Sequence, residues 1–310
     1  MKKVTNDRPE TLNAEWVLSD VCNYKCAYCH PMHYDRTSGF PDVEESLEFW
    51  NFVHTDINSN KKLLVLSGGE PTLWPGLSNF INGLDKSWRT EIVTNGSRTL
   101  RWWKKFLDET DIKRVSISVH LEFATPEHII EVSRLCAEKC VTTALILFDK
   151  DKIPEAKDMI NKIVESNVSI NVMVKPITNW WTNGEVISYD EEDLDFIKDF
   201  KYLKNKHKPL DVSTHFFIDD KRYHVSYANT LITNKQNTFK GWRCEAGSKR
   251  LIVWHDGNVY GAQCSTAKKH LLGNIKDKKI KKMESIICEN EYCDCVPDIR
   301  IPKWREDVLT

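Results

Sequence analysis

Cys22-Asn-Tyr-Lys-Cys26-Ala-Tyr-Cys29 is the stretch on which the reading of this chain turns. Three thiolates this close in sequence can converge on one metal centre, yet they fill only three of its positions. A structural zinc site takes four protein ligands, commonly as pairs of closely spaced cysteines, so a triplet leaves one position open. Soft thiolate ligation suits an iron–sulfur centre, and zinc accepts it as well. On a four-iron cluster the open position lies on one iron, where a small molecule can chelate.

The triplet directly follows an apolar run, Glu15–Ser19, and that run opens a series. Leu63–Ser67, Glu91–Thr94, Arg114–Val119, Thr142–Phe148 and Val168–Val174 read as further strands. Val43–Thr55, Gly76–Leu84, Leu100–Asp108, Pro126–Lys139, Pro154–Ser166 and Glu191–Phe200 read as amphipathic helices between and after them. Six β/α units predict an α/β fold, a partial (β/α)6 barrel. Right-handed crossovers place each helix outside and each loop at the C-terminal edge of its strand, where such folds carry their chemistry.

After the polar, proline-ended segment Lys204–Pro209 the rhythm changes. Short runs at His215–Ile218, Arg250–Trp254 and Asn258–Ala262 follow, the last two flanking His255-Asp256-Gly257, and Asp-Gly between apolar runs is a hairpin signal. The expected division is a core over residues 1–205 and a small cysteine-rich β-hairpin domain over 206–310.

Composition removes other classes. Lys and Arg number 44 against 45 Asp and Glu, a net charge of −1, so there is no polycationic field for unspecific binding to nucleic acid or a membrane surface. The longest apolar run, Ala144–Phe148, is far short of the ~20 residues of a membrane helix. The first residues turn polar where a signal peptide would be hydrophobic. A protein of a reducing compartment, the cytoplasm, is expected, and there ten cysteines bind metal rather than form disulfides.

One β/α unit after the triplet stands Ser67-Gly68-Gly69-Glu70-Pro71, and the third strand closes with Thr94-Asn95-Gly96. Gly68 and Gly69 allow the backbone close to a ligand, Glu70 offers a carboxylate for an ammonium group, and Pro71 stiffens the exit. With both motifs in this order, residues 14–200 resemble the radical S-adenosylmethionine (SAM) superfamily. The resemblance implies that Cys22, Cys26 and Cys29 ligate a [4Fe-4S] cluster whose open iron binds the amino and carboxylate groups of SAM. It further implies that Gly68, Gly69, Glu70 and Pro71 line the methionine amino group, with Asn95 and Ser118 placed for the carboxylate or ribose. The activity implied is electron transfer into the sulfonium, cleavage of the C5′–S bond and hydrogen abstraction by the 5′-deoxyadenosyl radical. The electron would come from a donor such as flavodoxin or ferredoxin.

Cys244, Cys264, Cys288, Cys293 and Cys295 form a second group around the hairpin, with Gly273-Asn274-Ile275 between them. This part resembles the SPASM or twitch extension of radical SAM enzymes. Five cysteines are too few for two auxiliary clusters at about four thiolates each, so one auxiliary [4Fe-4S] cluster is expected, on Cys244 and Cys264 completed from Cys288, Cys293 and Cys295. A structural zinc in the same place is the alternative. Cys136 and Cys140 share a helix face and read as small buried hydrophobes.

For contact with substrate, His120 and Glu122 directly follow the fourth strand and Lys175 follows the sixth, positions from which they could act as acid, base or clamp. Trp102-Trp103 and Trp180-Trp181 read as packing. The function expected is oxidation or cross-linking of a small molecule or a peptide. Only about thirteen residues precede the first strand, which leans the expectation towards a small molecule, or towards a peptide presented by a separate partner protein. A zinc-stabilised module that binds nucleic acid or protein without SAM chemistry is the competing reading, and the balanced charge does not favour it.

Overall fold

The computed structural model describes residues 1–8, 10–29, 37–56, 59, 61–179, 185–186, 188–207, 215–293 and 295–305. Trp180 and Trp181 lie outside the described residues. Six strands run parallel in sequence order: β1 Thr11–Val17, β2 Lys61–Ser67, β3 Trp88–Thr94, β4 Arg114–Val119, β5 Val141–Phe148 and β6 Asn171–Pro176. The helices between and after them are α1 Val43–Asp56, α2 Leu77–Gly83, α3 Leu100–Glu109, α4 Pro126–Lys139, α5 Ile153–Glu165 and α6 Glu191–Asp199. β4 and α4 stand at the expected bounds, and the other elements shift by a few residues. Pro126 opens α4, where its missing N–H would be unpaired anyway. The outer strands of this sheet do not pair with each other among the described residues, so the barrel stays open as expected.

Alternation along the strands divides core from cavity. On β1, Leu12, Ala14 and Trp16 face the helices, and Trp16 packs against Trp50, Trp74 and Phe80 at ring-centroid distances of 5.2–5.9 Å. Asn13, Glu15 and Val17 face the other way and line a cavity. Parallel strands covered on both faces usually read as continuous apolar runs. Here the inner face carries Glu15, Ser67, Glu91, Ser116 and Lys175, as a container for a polar ligand requires.

The last hundred residues join this sheet. The Asp-Gly hairpin forms as expected, with β7 Arg250–Val253 antiparallel to β8 Asn258–Tyr260 and Gly257 at φ +83°. Its first strand adds to the barrel, because β7 pairs in parallel with β1 (Arg250 opposite Asn13, Val253 opposite Trp16). A second sheet takes Lys3–Asn6 from the N-terminus beside His215–Ile218, Lys221–His224, Arg243–Cys244, Ile286–Ile287 and Lys303–Trp304. Both sheets therefore draw strands from both sides of residue 205.

The joint is ionic. The Arg250 guanidinium, 4% exposed, donates to the Glu15 carboxylate on β1 and lies 3.3 Å from Asp298, itself 2% exposed. Burial alone would raise the pKa of Glu15, but Arg250 and the Ser67 hydroxyl outweigh it and hold the carboxyl below its usual range. Arg250→Met would leave two carboxylates without their cation, an expected loss of about 3–5 kcal/mol of stability in urea unfolding. A loss under about 1 kcal/mol would show that the triad does not join the two parts.

Candidate active site

At the C-terminal edge of the strands Cys22, Cys26 and Cys29 line one end of a cavity of about 780 Å³. That size suits a buried small molecule, for which sites run about 300–1,000 Å³. The loop that carries the triplet is gripped on several sides. At its base Asp20, 1% exposed, accepts hydrogen bonds from the backbone and hydroxyls of Thr37 and Ser38 at 2.6–3.1 Å, closing the chain on itself across the cysteines. Burial would raise Asp20, yet these bonds dominate and keep it ionised far below the usual carboxylate range. Nothing local in the sequence marks this pairing of residues seventeen and eighteen apart.

From beneath, the loop after β2 packs backbone against backbone. A Cβ on Gly69 would stand 2.3 Å from the Val21 carbonyl oxygen, and one on Gly68 would stand 2.4 Å from a Val17 methyl. Both glycines have positive φ, +85° and +49° in chain order, so sterics and conformation alike demand glycine. Glu70 lines the cavity beside the triplet, and its carboxylate, 1% exposed, accepts from Thr72 N–H and hydroxyl, Thr94 hydroxyl and Asn95 N–H at 2.6–3.0 Å. A buried carboxylate must be satisfied by donors, and the chain supplies them. Glu70 therefore ties the ends of β2 and β3 together, and Pro71, buried, starts the short turn behind it.

The substrate candidates after β4 also hold the loop. Glu122 accepts from the Ala27 N–H at 2.9 Å, and Phe123 stacks on Tyr24 with ring centroids 4.4 Å apart. His120 stacks on Tyr28, and its Nδ1 shares a 2.8 Å hydrogen bond with the Tyr28 hydroxyl. Burial and the nearby Lys175 cation push the His120 imidazole down to about 4, so the ring is neutral, while burial keeps the Tyr28 phenol protonated. Asn95 bridges Asn23 of the loop and the Ser97 N–H. Ser118, His120 and Lys175 all line the cavity, Lys175 with an exposed side chain. Trp103 is fully buried and Trp102 stacks on Phe106, so this pair packs, as do the buried Cys136 and Cys140.

Of the second group, Cys244, Cys264, Cys288 and Cys293 line one small pocket. Cys295 departs: its Sγ donates to the Gln263 side-chain carbonyl at 2.9 Å, and it lines the large cavity instead. Lys303, buried under the pocket, donates to the Asp298 and Ile299 carbonyls and brings positive charge towards the thiols of Cys293, Cys244 and Cys288. Cys244 precedes β7, and β7 runs parallel to β1, so this pocket lies towards the N-terminal edge of the barrel, away from the triplet. Ile301 lines both cavities.

Thiols are the donors that iron–sulfur clusters take, and the described residues gather three of them at one end of the large cavity and four at a second pocket. Among the described residues no three His, Cys, Asp or Glu side chains close on a point at single-ion distance. No disulfide joins the ten cysteines.

With this geometry in place, comparison with known proteins is informative. The family model for the radical SAM superfamily matches residues 16–173. The GTP 3′,8-cyclase of Campylobacter fetus is 29% identical over 116 residues, 36% of this chain and 36% of that protein. The GTP 3′,8-cyclase of Clostridium perfringens is 26% identical over 213 residues, 60% of this chain and 64% of that one. The chain thus spans about a third to just under two thirds of these relatives' lengths. Among solved structures, anSMEcpe with bound AdoMet superposes with a TM-score of 0.56 at 18% identity, covering 86% of this chain and 78% of that one. SuiB of Streptococcus suis bound to the precursor peptide SuiA gives 0.55 at 12% identity, covering 81% and 59%. These likenesses concern the fold. Taken with the matched family over half its length, they show that the chain belongs to the radical SAM superfamily, whose members are iron–sulfur enzymes that use SAM.

Proposed function

We propose that this enzyme holds a [4Fe-4S] cluster on Cys22, Cys26 and Cys29, binds SAM on the open iron, and carries one auxiliary [4Fe-4S] cluster on Cys244, Cys264, Cys288 and Cys293. It removes a hydrogen from a substrate lodged between the two sites, oxidising or cross-linking it. The observation that carries this reading is the shared cavity, with the three thiols, the Gly68-Gly69 backbone and Lys175 on one set of walls. A bound cluster supplies the electron for reductive cleavage of SAM, and SAM supplies the radical that takes the hydrogen.

The chain's own contribution is position and exclusion. The loop grips described above fix the sulfur atoms, and the open Gly68-Gly69 backbone lets the methionine end approach. Neutral His120 faces the cavity, and Lys175 offers a cation near it. Val17, Val65, Val93, Leu145 and Met173 form apolar walls that keep water from a radical. Glu122 positions the loop and is not assigned to the chemistry. The two halves, 1–205 and 206–310, are proposed as units of chemistry, one per cluster. Flavodoxin or ferredoxin is the proposed reductant and the cytoplasm the proposed compartment, in keeping with ten cysteines that form no disulfide. A small molecule is favoured over a peptide, since one cavity of about 780 Å³ has to take SAM as well; relatives named for a GTP cyclisation agree with that choice.

Cys26→Ala is expected to abolish 5′-deoxyadenosine formation from SAM and dithionite, as read by chromatography; cleavage at the wild-type rate would overturn the assignment of the triplet. Cys264→Ala should lower iron by about one cluster, four atoms, while Cys295→Ala keeps the full complement, and the reverse pattern would exchange their roles. Because burial and Lys175 push His120 down to about 4, its NMR ring signals in metal-free protein should stay near their neutral positions from pH 8 to pH 6, where a free imidazole is already mostly protonated. A midpoint near 6.5 would contradict the burial argument.

A further inference from the structure

The large cavity continues past the cofactor end to the N-terminal side of the strands, and its chemistry changes there. Arg114 is the first residue of β4, four residues before Ser118, about 13 Å away along an extended strand. Around this far end Arg114, Arg250, Arg300 and Lys249 line the wall with the carboxylates of Glu15 and Glu91, and Asp298 stands behind Arg250. Glu15 is engaged by Arg250, and Glu91 lies 3.5 Å from Arg114 while accepting the Ser116 hydroxyl. Arg300 has no carboxylate within ion-pair distance among the described residues; its Nε donates to the Val296 carbonyl at 3.3 Å. Burial first, and then the neighbouring Arg250 and Arg114, lower its pKa to about 10, against the nearby Glu91. His224 reports the same field: burial and its neighbours His215, Arg300 and Arg114 push its imidazole down to about 4. Its Nδ1 accepts from the Ser226 N–H, which leaves the ring proton on Nε2 as a further donor.

We propose that this end of the cavity is an anion subsite, built around Arg300 and Arg114 with His224 beside them, that seats the phosphate of a phosphorylated small-molecule substrate. Among the described residues Arg300 is the wall guanidinium left without a carboxylate, and with Arg114 and the His224 ring beside it the wall offers more donors than the two oxygens of a carboxylate take up, which suits the three oxygens of a phosphate ester. Guanidinium forks also match phosphate oxygens two at a time. Anchoring the anion here would point the rest of the substrate up the barrel towards the triplet, so that remote binding energy orients the reacting C–H. The subsite rests on the proposed radical reaction for its purpose, and on the geometry alone for its affinity.

The test is calorimetric titration of inorganic pyrophosphate into the reconstituted enzyme saturated with SAM, at fixed ionic strength, for wild type, Arg300→Gln, Arg300→Lys and the surface variant Lys279→Gln. Saturable wild-type binding is expected, weakened at least tenfold by Arg300→Gln, less by Arg300→Lys and not by Lys279→Gln. Equal binding by Arg300→Gln, no saturable binding by wild type, or equally tight binding of succinate would overturn the proposal. Wild-type 5′-deoxyadenosine formation is measured in parallel: SAM cleavage without pyrophosphate binding removes only the subsite, whereas pyrophosphate binding without SAM cleavage keeps the subsite and removes the radical reading.

Discussion

The Arg250 guanidinium, buried between Glu15 and Asp298, is the joint on which the molecule depends. One partner sits on the first barrel strand, the other in the C-terminal segment that separates the two cavities. A buried ion cluster of this kind adds little net stability compared with apolar packing, but breaking it leaves uncompensated charge, so it acts as a registration device. It fixes β7 against β1 in one register, and that register sets where Cys244 and Cys264 stand relative to Cys22, Cys26 and Cys29. Electron transfer and substrate placement between two clusters would both depend on that fixed relation.

A second constraint acts on the triplet. Sulfur positions must be held before any cluster assembles, because like thiolates repel and burial keeps them protonated; burial and the nearby Glu122, Cys29 and Cys22 push the Cys26 thiol up to about 12. Metal binding has to displace those protons, and a loop already held in place by Asp20, Glu122, Phe123 and the Gly68-Gly69 backbone does not have to be ordered at the same moment. The polar groups that read as substrate contacts in the sequence therefore divide their work: Glu122 stabilises the frame, while His120 and Lys175 face the cavity.

Much of this was legible in the residues, and the limits follow from range. Pro126 at the start of α4, the alternation along β4 and the Asp256-Gly257 turn are local signals, and each element formed where those signals lie. The cysteine triplet and GGEP carried the cofactor site because their spacing is short. Three features depend on pairings that no local pattern records: the bond from Asp20 to Thr37 and Ser38, the parallel docking of β7 on β1, and the bonds from Thr94 and Asn95 to the Glu70 carboxylate. Cys295 was grouped with its neighbours by spacing alone. The structure separates it, since Cys293 and Cys295 line different cavities.

The central claim is two four-iron clusters held apart by one chain, only one of them open to SAM. The most direct test is Mössbauer spectroscopy, with iron and zinc analysis, on anaerobically purified wild-type protein enriched in iron-57. The account predicts about eight iron atoms per chain in two cubane clusters, with SAM shifting the signal of a single iron site in one of them. Protein that stays colourless and retains only zinc after reconstitution, or iron whose spectrum SAM leaves untouched, would contradict it.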